Sequence, residues 1–273
     1  MDYFYVKIIL SKYLTTFAGS KRTTMISISD LSTSDWIWFL ACATLIGMSK
    51  AGVKGMGMLI VPVMATIFGG KPSAGLVLPL LSFADLFAVR YYNRHAEWKY
   101  VWRLLPSAAA GVFIGIVVGY YINDETFKGV IAAIVVGSLF LMMIQERGGL
   151  PAGWTDTWLF GSIFGLLGGF STMIGNAAGP IMAVFLLAMQ LPKNSFIGTG
   201  AWFFLIINLL KFPFHVFVWK TITWSSFQLN VMAIPAIALG VFIGIRIVGL
   251  IPEREFRYFI IIMTFLAALR LII

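Results

Sequence analysis

Gly47-Met-Ser-Lys-Ala-Gly-Val-Lys-Gly-Met-Gly-Met-Leu-Ile-Val-Pro62 places two lysines, Lys50 and Lys54, among glycines in the middle of a long apolar region. An uncompensated cation is expensive at membrane depth, so residues of this kind face a cavity or a partner. Glycines open the backbone, and backbone freed in this way is tolerated only where it lines protein or water. A second stretch, Gly168-Gly-Phe-Ser-Thr-Met-Ile-Gly-Asn-Ala-Ala-Gly-Pro180, sits in the matching place further along the chain. Two Gly-broken hydrophobic segments at corresponding positions point to the binding site of a transporter.

Working outward, composition sets the class. The chain has 273 residues, 60% of them hydrophobic and 11% charged, and a mean hydropathy of +0.92. Soluble domains carry about 25% charged residues. Apolar runs recur from Trp36 onward at 36–48, 57–69, 72–92, 99–122 and 127–145, then at 157–171, 178–190, 194–212, 226–250 and 255–273. A run of about 20 such residues crosses a hydrocarbon core of roughly 30 Å. The fold class is therefore an all-α polytopic membrane protein with about 8 transmembrane segments, or 8–10 when the short Gly-broken pairs are counted. The first two runs of each set span only about 20 Å. Each pair reads either as a re-entrant hairpin or as one helix broken in the middle.

The net charge of +9 falls largely in short loops and at segment ends. Basic residues there orient the chain or meet anionic lipid, so the expected partner is the bilayer and not nucleic acid. A single cysteine, Cys42, excludes an intramolecular disulfide. Residues 1–33 form an N-terminal extension or interfacial segment in which Lys7 and Lys12 interrupt the apolar residues. Ser32-Thr-Ser-Asp35 then offers N-caps ahead of Trp36.

The rest divides into a first membrane repeat at 34–146, a linker at 147–156 and a second repeat at 157–273. Pro106-Ser-Ala-Ala-Ala-Gly-Val-Phe-Ile-Gly-Ile116 returns 129 residues later as Pro235-Ala-Ile-Ala-Leu-Gly-Val-Phe-Ile-Gly-Ile245. A match this long in register reads as two homologous halves. Pro62 and Pro180 follow the two breaks at an offset of 118. With hairpins the halves are inverted; with broken helices they are parallel. Positive-inside counting favours parallel halves, while the loop-like breaks favour inverted hairpins, the reading preferred here.

A Gly-rich break followed by Pro, recurring in two halves, resembles the TauE/SafE sulfite exporter family over about Trp36 to Ile273. The resemblance implies a secondary carrier for small sulfur-containing anions such as sulfite and sulfonates, in the plasma (inner) membrane.

The residues carry an argument of their own. Asp85, in Leu80-Leu-Ser-Phe-Ala-Asp85, is the one acidic residue well inside an apolar segment. Against it stand Lys50 and Lys54, so the membrane interior leans toward anions. The candidate substrate-binding residues are Lys50, Lys54, Gly55, Gly57, Ser171, Thr172, Asn176, Gly179 and Asn208, with Asp85 as an ion-pair or coupling residue. Helix N-termini at the breaks add positive potential and N–H donors. Bland readings stand beside these. The lysines could belong to a hairpin turn in water, and Ser171, Thr172 and Asn176 could satisfy backbone at a helix break. Asn208 and Lys211 sit roughly where Asp85 and Arg90 sit in the first half. Arg103, Arg246 and Arg270 lie within a turn or two of a segment end, where they can snorkel, and His95 and His215 are expected at the interface.

An enzyme would want paired carboxylates, a His beside a nucleophile or a metal cluster, and the chain offers poor material for these. No cofactor or metal is expected. A channel, a proton-coupled uptake permease and a homo-oligomer remain open alternatives at this level.

Overall fold

The computed structural model describes residues 31–53, 67–123 and 153–252, with scattered positions at 60–64, 126–140 and 255–262. Lys54, Gly55 and Gly57, the extension 1–30, and most of the runs 127–145 and 255–273 lie outside the described residues. The described chain is helical, and no strand occurs among the described residues. Lipid dictates this economy, since a helix satisfies its own backbone groups.

Helix α1, Thr33–Lys50, starts where the caps were expected. Ser32 Oγ accepts from the Asp35 amide at 3.2 Å, and the Asp35 carboxylate accepts from the Ser32 amide at 3.0 Å. Helix α2 is Gly70–Tyr92, followed by a 3-10 turn at Asn93–His95, and α3 is Trp98–Tyr121. Helix α4, Trp158–Gly175, is capped by the Thr157 hydroxyl; α5 is Gly179–Ala188, with Pro180 in its first turn. Proline suits that position because the first turn has no carbonyl partner for its missing N–H. Helix α6, Lys193–Pro213, continues as a π-helical turn, Phe214–Val218. Helices α7, Trp224–Met232, and α8, Ile234–Leu250, meet at a bend of 46°.

Four helical stretches among the described residues are long and apolar enough to cross a membrane: Gly70–His95, Trp98–Tyr121, Trp158–Gly175 and Lys193–Val218. The bent α7–α8 pair makes a fifth if it is one span. Helix α5, with 10 residues, rises only about 15 Å. It folds back on α4, because Gly168 faces Ile181 and the rings of Phe160 and Phe164 lie 5.6 and 6.1 Å from that of Phe185. This pair is a hairpin, not one interrupted helix.

Two glycine seams hold the bundle. Along α3 and α4, a Cβ at Gly111 would collide with the Leu166 carbonyl, and one at Gly169 with the Ala108 carbonyl. Along α1 and α8, a Cβ at Gly240 would strike the Thr44 carbonyl, and one at Gly47 the Ile237 carbonyl. Small residues let helices approach to backbone contact, which replaces the hydrophobic drive missing in lipid. Both seams run parallel. Arg103, Ala108 and Gly115 meet Gly161, Gly169 and Met173 in order, and Thr44 and Met48 meet Gly240 and Gly244.

Between the seams lie α2 and α6, which run antiparallel. The Tyr92 backbone faces Gly198, Trp202 Nε1 donates to Asn93 Oδ1, and Asp85 lies against Asn208. At the far end Thr221, just past α6, packs on Gly75, near the start of α2. The segments that follow α2 and α6 therefore sit at opposite ends of this pair.

Two expectations fail here. Arg103 does not snorkel: it is buried against Gly161 and donates to the Thr155 and Thr157 carbonyls, tying α3 to the start of α4. His215 is not interfacial either; it is fully buried, with Nδ1 2.8 Å from Thr221 Oγ1. The π-helical turn carries α6 onward past His215, so this residue lies deeper than the apolar run 194–212 implied.

Candidate functional site

Several buried polar residues, Lys50, Asp85, Thr172, Asn208 and Lys211, gather where the two breaks meet α2 and α6. At the first break, α1 ends at Lys50, and Gly52 turns the chain at φ 118°, a conformation open to glycine and strained for other residues. Lys50 is 8% exposed, and its ammonium contacts both oxygens of Asp85, Oδ1 at 2.8 Å and Oδ2 at 3.1 Å. It also stands 4.0 Å from the centre of the Phe204 ring, a favourable place for a desolvated cation. Asp85 is 0% exposed and accepts in addition from Asn208 Nδ2 at 2.7 Å. Tyr92 donates its hydroxyl to the Ala51 carbonyl at 3.4 Å.

At the second break, Asn176 closes α4 in the left-handed region, φ 54°. Asparagine is among the few residues that tolerate this conformation. Its side chain bridges two other elements: Nδ2 donates to the Ala74 carbonyl of α2 at 3.0 Å, and Oδ1 accepts from Lys211 of α6 at 2.8 Å. Lys211, 0% exposed, donates further to the Thr172 carbonyl and the Thr172 hydroxyl, both at 2.9 Å.

A continuous chain results. It runs from Lys50 through Asp85 to Asn208, then one helical turn along α6 to Lys211, and on to Thr172 and Asn176. The described interior therefore holds two ammonium groups, Lys50 and Lys211, and one carboxylate, Asp85, in this cluster. With both lysines protonated, the excess is one positive charge. Three buried polar atoms nearby in sequence, Ser171 Oγ, Asn208 Oδ1 and His215 Nε2, have no hydrogen-bond partner among the described residues. Buried polar atoms are nearly always satisfied, so such orphans mark places where water, an ion or a ligand belongs.

Of the expected site residues, Lys50, Asp85, Asn208, Thr172 and Asn176 come together. Ser171 is buried beside them in sequence, and Gly179 is exposed, with open space where a Cβ would stand. Lys54, Gly55 and Gly57 lie outside the described residues. Lys211 is the residue that sequence reasoning undervalued. Its signal was the i, i+3 pair Asn208 and Lys211 on one helical face inside an apolar run; its place at the end of that run suggested an interface. Among the described residues no group of His, Cys, Asp and Glu could hold a metal ion.

The family model described as Sulfite exporter TauE/SafE matches residues 39–271, nearly the whole chain. Neither a curated protein nor a solved structure matches the chain.

Proposed function

The chain belongs to the TauE/SafE sulfite exporter family, and from that premise we propose that it is a secondary carrier for small organosulfur oxyanions, working at the cluster between the two breaks. Family membership makes it an integral, multi-pass membrane transporter and not an enzyme. The substrate, the site and the plasma membrane location are our reading.

The observation that carries it is the buried excess of one positive charge between Lys50, Asp85 and Lys211. A charge buried without a counter-charge is costly, and an arriving anion relieves that cost. Hydroxyl and amide groups of Ser171, Thr172, Asn176 and Asn208 then supply further contacts. Export follows from the membrane potential. An anion leaving a cell that is negative inside gains about 2.3 kcal/mol per charge per 100 mV, so no coupling ion is required.

The same proposal includes two inverted halves. Gly111 and Gly240, 129 residues apart, fill equivalent seams against Leu166 and Thr44, which are 122 residues apart. Lys71 donates to the Ile122 carbonyl at the end of α3, at 2.7 Å, and Lys193 to the Ile251 carbonyl just past α8, also at 2.7 Å. The antiparallel course of α2 and α6 supports inversion over parallel repeats. The first helix of each half then packs on a later helix of the other, α1 on α8 and α4 on α3, with the site at the α2–α6 crossing.

Purified protein in proteoliposomes tests the transport reading. Saturable flux of labelled sulfite or a small sulfonate, with counter-flow driven by unlabelled substrate, is expected. Flux that stays linear in concentration without counter-flow would make the protein a channel, and strong inward accumulation driven by a proton gradient would make it an uptake permease.

A further inference from the structure

Resting on the transport reading above, we infer that Lys211, and not Lys50, is the cation that holds the substrate, and that the site accepts one negative charge at a time. The two lysines differ in what they touch. Lys50 meets both oxygens of Asp85, at 2.8 and 3.1 Å, and the face of Phe204. Its charge is already answered. All three contacts of Lys211 are neutral oxygens: the Thr172 carbonyl, the Thr172 hydroxyl and Asn176 Oδ1. Its charge is fully buried and unanswered by any carboxylate in contact with it among the described residues.

Donors suited to an oxyanion occur along the same break. The Ser171 hydroxyl is buried and has no hydrogen-bond partner among the described residues. The Thr172 hydroxyl turns from acceptor to donor once an anion takes its place on the ammonium. Helix α5 begins at Gly179, three residues past Asn176, with no side-chain cap on its first amides, so its positive end adds to the same region. A second lysine-bound carboxylate is not needed for this arrangement; the anion itself completes it.

Charge counting then sets the substrate class. A monoanion, such as a sulfonate or a singly charged hydrogen oxyanion, brings the described cluster to neutrality. A dianion leaves one uncompensated negative charge in a buried place, which is costly. The Lys50–Asp85 contact carries no net charge of its own to offer the anion.

The test is calorimetric titration of the detergent-purified full chain with methanesulfonate, a monoanion, and sulfate, a dianion. The parent is expected to bind methanesulfonate about tenfold or more tightly than sulfate. Lys211→Gln should lose about tenfold or more of the methanesulfonate affinity. The paired variant Lys50→Gln/Asp85→Asn keeps the net charge and should lose less of the methanesulfonate affinity than Lys211→Gln does. Should Lys211→Gln not elute as a monodisperse species, the paired variant decides alone: a loss under about tenfold supports the inference, and a larger loss overturns it. The inference is also overturned if folded Lys211→Gln binds like the parent or if sulfate binds as tightly as methanesulfonate. A parent that binds neither anion overturns the transport reading together with this one, whereas failures confined to the variants or to the sulfate comparison overturn this one alone.

Discussion

The two breaks solve one problem, a lysine buried in apolar surroundings, in opposite ways. At the first, Lys50 is neutralised by a carboxylate from α2 and shielded by an aromatic ring. At the second, the lysine comes from α6 and is cradled by neutral oxygens of the break itself. The backbone devices differ as well. The first break turns on a glycine at φ 118°, the second on an asparagine at φ 54° whose side chain joins α2 to α6. The difference separates two jobs. The first break contributes an anchor, and the second offers a charge to something that is not protein.

If that division holds, the largest stability loss belongs to the anchor. Asp85→Ala strands Lys50 as a buried unpaired cation and should cost about 3–5 kcal/mol, measured by denaturant unfolding in detergent. Lys50→Met/Asp85→Leu should recover most of that loss, since apolar residues replace a buried pair at little cost. An Asp85→Ala protein as stable as the parent would sink the anchor. Lys211→Met is expected to cost less, about 1–3 kcal/mol, from the acceptors it leaves unpaired on Thr172 and Asn176. A loss equal to that of Asp85→Ala would erase the contrast between the breaks. Asn176→Ala removes both bridges of its side chain and puts alanine in the left-handed region, for about 2 kcal/mol by the same unfolding measurement. An unchanged midpoint there would mean that the bridges are dispensable. Smallest of all, Gly179→Ala meets open space and should shift stability by no more than about 0.5 kcal/mol. Full stability with lost anion binding in that variant would sharpen the comparison, by placing the substrate against the tip of the second hairpin.

Much of this was legible from residue pattern. The capping residues ahead of Trp36 and the run boundaries emerge because burial in lipid leaves long, uninterrupted apolar stretches that a helix must satisfy internally. Asp85 could be paired on paper with Lys50 or Lys54, because a lone carboxylate and a lysine at membrane depth have few other partners. Lys211 was harder. Its depth depends on the π-helical turn that carries α6 on to Val218, and no local periodicity announces such a turn. The inward course of Arg103 was hidden for a similar reason: its acceptors are the Thr155 and Thr157 carbonyls, backbone groups that only the turn before α4 brings within reach. Between inverted and parallel halves the sequence only leaned toward inversion, because loop charge and loop length argued in opposite directions. The antiparallel contact of Asp85 with Asn208 and of Asn93 with Trp202 supports the proposed inversion.

The proposed inverted halves bring the two breaks in from opposite sides, and one labelling experiment reaches that point directly. Arg94, just past α2, and Lys220, just past α6, are both exposed. Each is replaced singly by cysteine in a Cys42→Ala background and probed in sealed vesicles with a membrane-impermeant thiol reagent. Inverted halves predict that the reagent reaches one position from outside and the other only after the vesicles are opened. Labelling of both positions from the same side would contradict the inverted arrangement and, with it, the account of a single site built where two opposed breaks meet.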